Sequence, residues 1–257
     1  MSKTAVIIPT RLKSTRLPNK PLALINGKPL IQHVYEHAAK VHTDDDIYIA
    51  SGDKEIQDVA ATFGARCRLT DPSLPSGTDR IAAALQQIDP EGVKYDTIVN
   101  FQGDGINVNP ALDLELIDIM HKTGADIVTV GMKLTDQALI QNPSYVKIAM
   151  GLGEGESVAR ALYFSRNPVP HYRDNPVATP QAFWHIGIYV YNAASLQRFV
   201  RLPVGQLERI EKLEQLRALE NGMSIYAKIV SSVKLIEEAP ADINTPEELE
   251  LAQKFMR

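Results

Sequence analysis

Pro9-Thr10-Arg11-Leu12-Lys13-Ser14-Thr15-Arg16-Leu17-Pro18-Asn19-Lys20 follows the apolar run Ala5-Val6-Ile7-Ile8 and carries four cations within ten residues. The apolar run reads as a short buried strand, and Pro9, which has no backbone donor, ends its ladder and opens a loop. A loop leaving the carboxyl end of the first strand of an open α/β sheet stands where such sheets bind ligands. With Ser14 and Thr15 as hydroxyl donors and two prolines limiting its freedom, it suits a strongly anionic ligand held by charge-assisted hydrogen bonds, a triphosphate above all. The plain alternative is a solvated basic loop. The stretch is neither the Gly-x-x-x-x-Gly-Lys phosphate loop nor the Gly-x-Gly-x-x-Gly fingerprint, so a different kind of nucleotide loop is implied.

On its carboxyl side, Leu30, Ile31, Val34, Tyr35 and Ala38 recur at helical spacing and predict a helix from about Pro29 to Lys40. Asp46 to Ser51 then reads as a strand, Lys54 to Phe63 as a helix, and Gly64 to Leu69 as a turn into a third short strand. In the loop from Asp71 to Arg80, Ser76 or Thr78 is placed to cap the helix that runs through Ile81, Ala84, Leu85 and Ile88. Asp96 to Phe101 is the next strand and runs straight into Gln102-Gly103-Asp104. An aspartate at the end of a buried strand, beside glycine, is placed to hold a divalent ion bridging to phosphate oxygens, the alternative being an ordinary turn aspartate.

Ala111 to Lys122 is helical in pattern and Asp126 to Met132 is an apolar strand, after which Asn142-Pro143 breaks the pattern ahead of Tyr145 to Met150. Trp184 to Tyr191 is rich in strand formers. Gln206 to Asn221 predicts one long amphipathic helix stopped by Gly222. Short strands are expected around Ser224 to Val230 and Val233 to Ile236, and Thr245-Pro246 caps and starts the last helix. Strands alternating with helices through the first two thirds of the chain predict an α/β fold with a mostly parallel central sheet flanked by helices. Two motifs are set aside. His33-x-x-Glu36-His37 matches a zinc-peptidase pattern but lacks a further ligand in a recognisable context, and Gly151 to Glu156 mimics a dinucleotide fingerprint without the long helix that must follow it.

Composition narrows the function classes. A chain of 257 residues with 44% hydrophobic and 23% charged content is ordinary for a globular protein of one large or two modest domains. No apolar stretch approaches the roughly 20 residues of a membrane helix, and the start lacks the apolar core of a signal peptide, so a cytoplasmic protein is expected. Cys67 stands alone and reads as a small buried apolar residue, not a nucleophile. A net charge of −4 with one local basic cluster favours a small anionic ligand over nucleic acid.

Six further blocks carry a family resemblance, and they recur in the order that family uses: Asn26-Gly27-Lys28-Pro29-Leu30-Ile31, Ser76-Gly77-Thr78-Asp79-Arg80, Gln102-Gly103-Asp104, Leu162-Tyr163-Phe164-Ser165-Arg166, His185-Ile186-Gly187-Ile188-Tyr189 and Leu213-Glu214-Gln215-Leu216-Arg217. Together with Ser14-Thr15-Arg16-Leu17-Pro18 and Lys20-Pro21-Leu22, the chain resembles the 3-deoxy-manno-octulosonate cytidylyltransferases, the CMP-Kdo synthetase family of sugar nucleotidyltransferases. The resemblance implies one nucleotidyltransferase domain over 1–257. Within it, about 1–135 would bind nucleotide, about 136–225 would form a smaller β-rich sugar-binding and dimer portion, and 226–257 would return to the main sheet. It further implies CTP and a Kdo-type sugar acid as partners, magnesium as cofactor, a homodimer, and a product destined for lipopolysaccharide. Arg11, Lys20 and Asp104 would be catalytic, and Arg11, Ser14, Arg16, Lys20, Ser76, Gly77, Thr78, Arg80 and Gln102 would bind the nucleotide. Arg166 would face the sugar carboxylate, with His185, Tyr189, Glu214 and Gln215 nearby.

Two positions depart from the family. Its Gln-Gly-Asp-Glu-Pro becomes Gln102-Gly103-Asp104-Gly105-Ile106, and its Asp-Thr-Pro-Glu becomes Asn244-Thr245-Pro246-Glu247. The second change removes a charge from a hard-cation site. If Asp242-Ile243-Asn244 is extended, Asp242 and Asn244 point to one side, so the expected metal set is Asp104 and Asp242 with Asn244 assisting. The departures leave open a modified acceptor, 8-amino-Kdo or a nonulosonate, and a catalytically silent nucleotide-binding relative.

Overall fold

The structure, a computed structural model, describes residues 3–14, 16–171, 173, 182–234, 236, 238–240 and 242–255. Thr15 and most of the proline-dotted segment after Val169 lie outside them. The chain divides into two compact units, Met1–Glu115 with Val233–Arg257, and Leu116–Ser232.

The first unit is built on β1 (Thr4–Thr10), the short pair β2 (Leu24–Ile25) and β3 (Lys28–Pro29), then β4 (Ile47–Ser51), β5 (Arg66–Leu69) and β6 (Thr97–Asn100). Its sheet runs β5-β4-β1-β6, parallel throughout. Ala5, Val6, Ile7 and Ile8 are all 0% exposed, as a central parallel strand covered on both faces requires. Helices α1 (Leu30–Ala38), α2 (Lys54–Thr62) and α3 (Gly77–Ile88) alternate with the strands, and α4 (Ala111–Thr123) begins in this unit and runs on into the second. Asn26 (φ 49°) and Gly27 (φ 84°) form the two-residue turn between β2 and β3, where both residues must be left-handed.

The zinc-like histidines of α1 are structural. His33 Nε2 bonds the Ile25 carbonyl at 2.8 Å, the buried His37 bonds the Val108 carbonyl, and Glu36 takes the Lys28 ammonium at 2.8 Å.

Three local expectations fail. β1 does not end at Pro9 but runs on to Thr10, with Pro9 in register opposite Ala50, because proline loses a donor without leaving the extended backbone. The other two fail through a tertiary contact. No strand forms over Val233 to Ile236 among the described residues, only a single bridge between Val108 and Lys234. The buried Asn107 side chain replaces the ladder, donating to the carbonyls of Ile236 (2.6 Å) and Ala239 (3.1 Å) and accepting from Ile236 N–H (2.9 Å). The last helix, Pro246–Phe255, starts where expected. Thr245 Oγ1 accepts from Glu248 N–H (3.2 Å) while Glu248 Oε2 accepts from the Thr245 and Asn244 N–H groups, a reciprocal cap.

The second unit holds β7 (Ile127–Leu134), β8 (Lys147–Met150), β9 (Val158–Ser165), β10 (Ala182–Asn192) and β11 (Ile225–Val230). They run β10-β7-β11-β9-β8, and β8 also pairs with β10, so the five strands close on themselves; β7 and β11 are parallel and the other pairs antiparallel. Four short helices complete the unit: α5 (Gln137–Gln141), α6 (Ala193–Phe199), α7 (Gln206–Glu211) and α8 (Gln215–Glu220). The last two replace the single long helix expected over Gln206 to Asn221. Lys212 turns left-handed (φ 56°), and the Glu211 and Lys212 carbonyls are taken by Arg166 Nε (2.7 Å) and Nη2 (3.4 Å).

Candidate active site

At the carboxyl ends of β1 and β6 the first unit carries a cleft of about 490 Å³. The loop after β1 contributes Arg11, Lys13, Ser14, Arg16 and Lys20, the loop after β6 contributes Gln102, Gly103 and Asp104, and Asn244 enters from ahead of the last helix. The basic loop is fixed by its own backbone. Leu12 N–H donates to Asp53 Oδ2 (2.8 Å), Asn19 N–H closes the loop on the Leu12 carbonyl (3.2 Å), and Pro21 is buried in a single turn over Lys20–Leu22. Asn19 takes the left-handed φ of 55° that asparagine tolerates better than most residues. A Cβ on Gly103 would stand 2.5 Å from the Pro9 carbonyl oxygen, so only glycine lets the β6 loop lie against the end of β1.

These anchors bring Lys20 Nζ to 2.6 Å from Asp104 Oδ2 and 3.1 Å from Asn244 Oδ1. Asn244 Oδ1 also accepts from Arg16 Nη2 (3.1 Å), while its Nδ2 donates to Asp242 Oδ2 (3.0 Å). The two acidic segments are joined by backbone, through a bridge between Gly105 and Asp242 and a bond from Ile243 N–H to the Asp104 carbonyl (3.1 Å). Burial and then the negative charge of Asp104 push the Asp242 carboxyl up, with the Asn244 hydrogen bond opposing. Asp242 is open to solvent on one side, so the like charge beside it is the informative cause.

Among the described residues no three His, Cys, Asp or Glu side chains gather into a metal cluster. The cleft is lined by one carboxylate, Asp104, and the Asn244 amide oxygen, with the Asp242 carboxylate outside the lining and bonded to Asn244 Nδ2; this all-oxygen set suits a hard divalent cation keeping part of its water. Oxygens of Asp104 and Asn244 already converge on a cation, the Lys20 ammonium. The residues present therefore fit a hard divalent cation.

Arg11, Ser14, Arg16, Lys20, Gln102, Asp104 and Asn244 line this one cleft, whereas Asp242, expected in the same metal set, and the Ser76 to Arg80 block are not among its lining residues. Ser76 Oγ caps α3 by accepting from Asp79 N–H (3.1 Å), and a Cβ on Gly77 would stand 3.6 Å from the Pro9 ring. Arg80 is 3% exposed and donates to Thr70 Oγ1 (2.5 Å). Burial lowers its pKa and the nearby Arg11 charge adds to that, against Asp53.

The residues assigned to the sugar lie in the second unit. His185 packs edge-on against Phe164 (4.9 Å) and beside Tyr189 (5.4 Å). Gln215 Nε2 meets His185 Nδ1 at 3.4 Å and Thr129 Oγ1 meets Nε2 at 3.1 Å; since the Thr129 hydroxyl donates to the Ile188 carbonyl (2.7 Å), the network assigns the neutral tautomer with its proton on Nε2. Burial drives the His185 pKa down to about 3. Burial, then Tyr191 and Glu214, raises that of Tyr189. Arg166 is a bracket: besides Glu211 and Lys212 it reaches the Pro143 carbonyl (3.1 Å).

Sequence reasoning passed over Lys13 and Asp53. Lys13 was visible within the basic run; the only local trace of Asp53 was its position before α2, and its bond to Leu12 is tertiary.

The chain is similar to known proteins along nearly its whole length. A family model described as Cytidylyltransferase matches residues 5–225. The 3-deoxy-manno-octulosonate cytidylyltransferase of Paramagnetospirillum magneticum is 41% identical over 243 residues, covering 93% of this chain and 94% of that one. The enzyme of the same name from Methylobacterium radiotolerans is 41% identical over 257 residues, 100% and 98% of the two chains. The solved structure of CMP:2-keto-3-deoxy-manno-octonic acid synthetase complexed with CTP superposes with a TM-score of 0.85 at 33% identity, covering 99% and 98%. A 4-diphosphocytidyl-2C-methyl-D-erythritol synthase from Anaerococcus prevotii shares the fold alone, with a TM-score of 0.59 at 10% identity over 99% and 96% of the chains. With its basic loop facing an acid-and-amide cluster across one cleft, the chain belongs to the 3-deoxy-manno-octulosonate cytidylyltransferase family.

Proposed function

We propose that this chain transfers CMP from CTP to the anomeric C2 hydroxyl of a 3-deoxy-octulosonate sugar acid, releasing pyrophosphate, for lipopolysaccharide synthesis. The observation that carries the reading is the convergence of Arg11, Lys20 and Asp104 on one cleft. In the reaction the C2 oxygen forms a bond to the α-phosphorus as the bond to the bridging oxygen of the β-phosphate breaks in line. Pyrophosphate takes the electron pair, and the hydroxyl proton passes to water. Arg11, Arg16 and Lys20 neutralise the charge that moves onto the leaving group, and Ser14 adds a hydrogen bond. Magnesium at Asp104, Asp242 and Asn244 would polarise the α-phosphate and acidify the hydroxyl, so that no dedicated side-chain base is needed.

Ser76 to Arg80 and Gln102 are assigned to the cytidine side on family resemblance. His185, Tyr189, Glu214 and Gln215 are assigned to the sugar, with Arg166 keeping two of its five N–H groups for the carboxylate after three go to backbone carbonyls. A homodimer in the cytoplasm completes the reading; among the described residues no helix is long and apolar enough to cross a membrane. Incubating the chain with CTP, magnesium and Kdo should release pyrophosphate and form CMP-Kdo. A chain that binds CTP yet releases none would instead be a silent relative.

A further inference from the structure

We propose that Lys13 is a phosphate-binding residue which, with Arg11, holds the end of the triphosphate that departs as pyrophosphate. The inference rests on the nucleotidyl-transfer reading above.

The four cations of the basic loop are not equivalent. Lys20 is engaged by Asp104 and Asn244, and Arg16 by Asn244. Arg11 and Lys13 line the same cleft, both exposed, and among the described residues neither has an ion-pair or hydrogen-bond partner. Flexibility does not explain this. The residue between them, Leu12, is anchored twice, by its N–H to Asp53 and by its carbonyl to Asn19 N–H, so both cations leave a fixed stretch of backbone at the mouth of the cleft. Arg11 also faces the like charge of Arg80. On a chain of net charge −4, two cations two positions apart that line one cleft with no ion-pair partner among the described residues make a local positive field that draws a polyanion.

Lys20 and Arg16, held by Asp104 and Asn244, stand beside the oxygens assigned to the metal and so meet the leaving group at its α–β end. The uncompensated pair is left for the β- and γ-phosphates. Lys13 thus acts on the leaving group and has no role in reading the cytosine or the sugar.

The test uses the full chain with Lys13→Met, which keeps the apolar stem and removes the charge. Pyrophosphate and CMP binding are measured by calorimetry, alongside the steady-state constants for CTP. Pyrophosphate affinity is expected to fall roughly tenfold, about the value of one exposed charge-assisted hydrogen bond, with a parallel rise in the KM for CTP. CMP affinity should change less than twofold, Lys13→Arg should retain most of the pyrophosphate affinity, and Lys122→Met, which removes an exposed lysine on α4, should leave both affinities unchanged. Unaltered pyrophosphate binding in Lys13→Met, or an equal loss for CMP, would overturn the assignment. A wild-type chain that turns over CTP while Lys13→Met binds pyrophosphate normally refutes the role of Lys13 alone; a wild-type chain that binds neither CTP nor pyrophosphate refutes the nucleotidyl-transfer reading beneath it.

Discussion

At the scale of single residues, Asn244 is the informative departure. An amide both accepts and donates, and here it accepts from Lys20 and Arg16 while donating to Asp242 Oδ2 at 3.0 Å. A carboxylate at position 244 would repel Asp242 across that same distance, so the negative charge stands two residues earlier and the amide orients it. Asp242→Ala is expected to lower turnover at millimolar magnesium by roughly a hundredfold or more, measured as pyrophosphate release. A sharper check is an exchange. Asp242→Asn alone should weaken Mn²⁺ binding, read by paramagnetic resonance of the free ion, by roughly tenfold, and adding Asn244→Asp should restore most of it. Unchanged Mn²⁺ binding in Asp242→Asn would show that position 242 is not a metal position.

At the scale of elements, the break between α7 and α8 has two supports. Arg166 takes the carbonyls freed at Glu211 and Lys212, and Glu211 returns its carboxylate to Ser165 Oγ (2.8 Å) and Arg166 N–H (3.0 Å). Across the helices, Arg217 grips Glu208 with two bonds of 2.6 and 2.8 Å and lies over the Phe199 ring at 4.9 Å. The pair is nearly buried, with side chains 9% and 12% exposed, so removing one partner strands a charge. Arg217→Met is expected to destabilise the protein by about 3 kcal/mol in urea unfolding, and Arg217→Lys should also be destabilising because it loses the planar fork. The double change Arg217→Met with Glu208→Leu should cost less than Arg217→Met alone.

At the scale of the whole molecule, pH acts through buried groups. Folded His185 takes its proton near pH 3, while in the unfolded chain it titrates near 6.5, so the unfolded state binds protons first as the pH falls. Its contribution to stability is complete above about pH 6.5 and is lost toward pH 3, at up to about 1.4 kcal/mol per pH unit. His37, lowered by burial, acts in the same sense, whereas Asp113, raised by burial, acts in the opposite one. Urea midpoints followed from pH 7 to pH 4 should therefore fall less steeply in His185→Asn than in the wild type. The assembly is checked by light scattering, where a homodimer has twice the 28.4 kDa of one chain. Burial pushes the Cys67 thiol up to about 11, which disfavours the thiolate form.

The strands and helices of the first unit, the cationic loop and the acid at its rim were legible in order along the chain. Apolar runs, caps and charge clusters are local signals: Ser76 capped its helix, Thr245 opened the last one, and Arg11, Lys20 and Asp104 met because β1 and β6, parallel neighbours in the sheet, deliver their loops to one edge. What periodicity does not carry is a contact between distant segments. The break at Lys212 depends on a guanidinium 46 residues away, the loss of a strand after Val233 on a buried amide at Asn107, and the sorting of four similar cations into two held and two unpartnered among the described residues on where Asp104 and Asn244 come to rest. Hydrogen-bond partners and buried charge are fixed by three-dimensional proximity, and only the folded chain decides them.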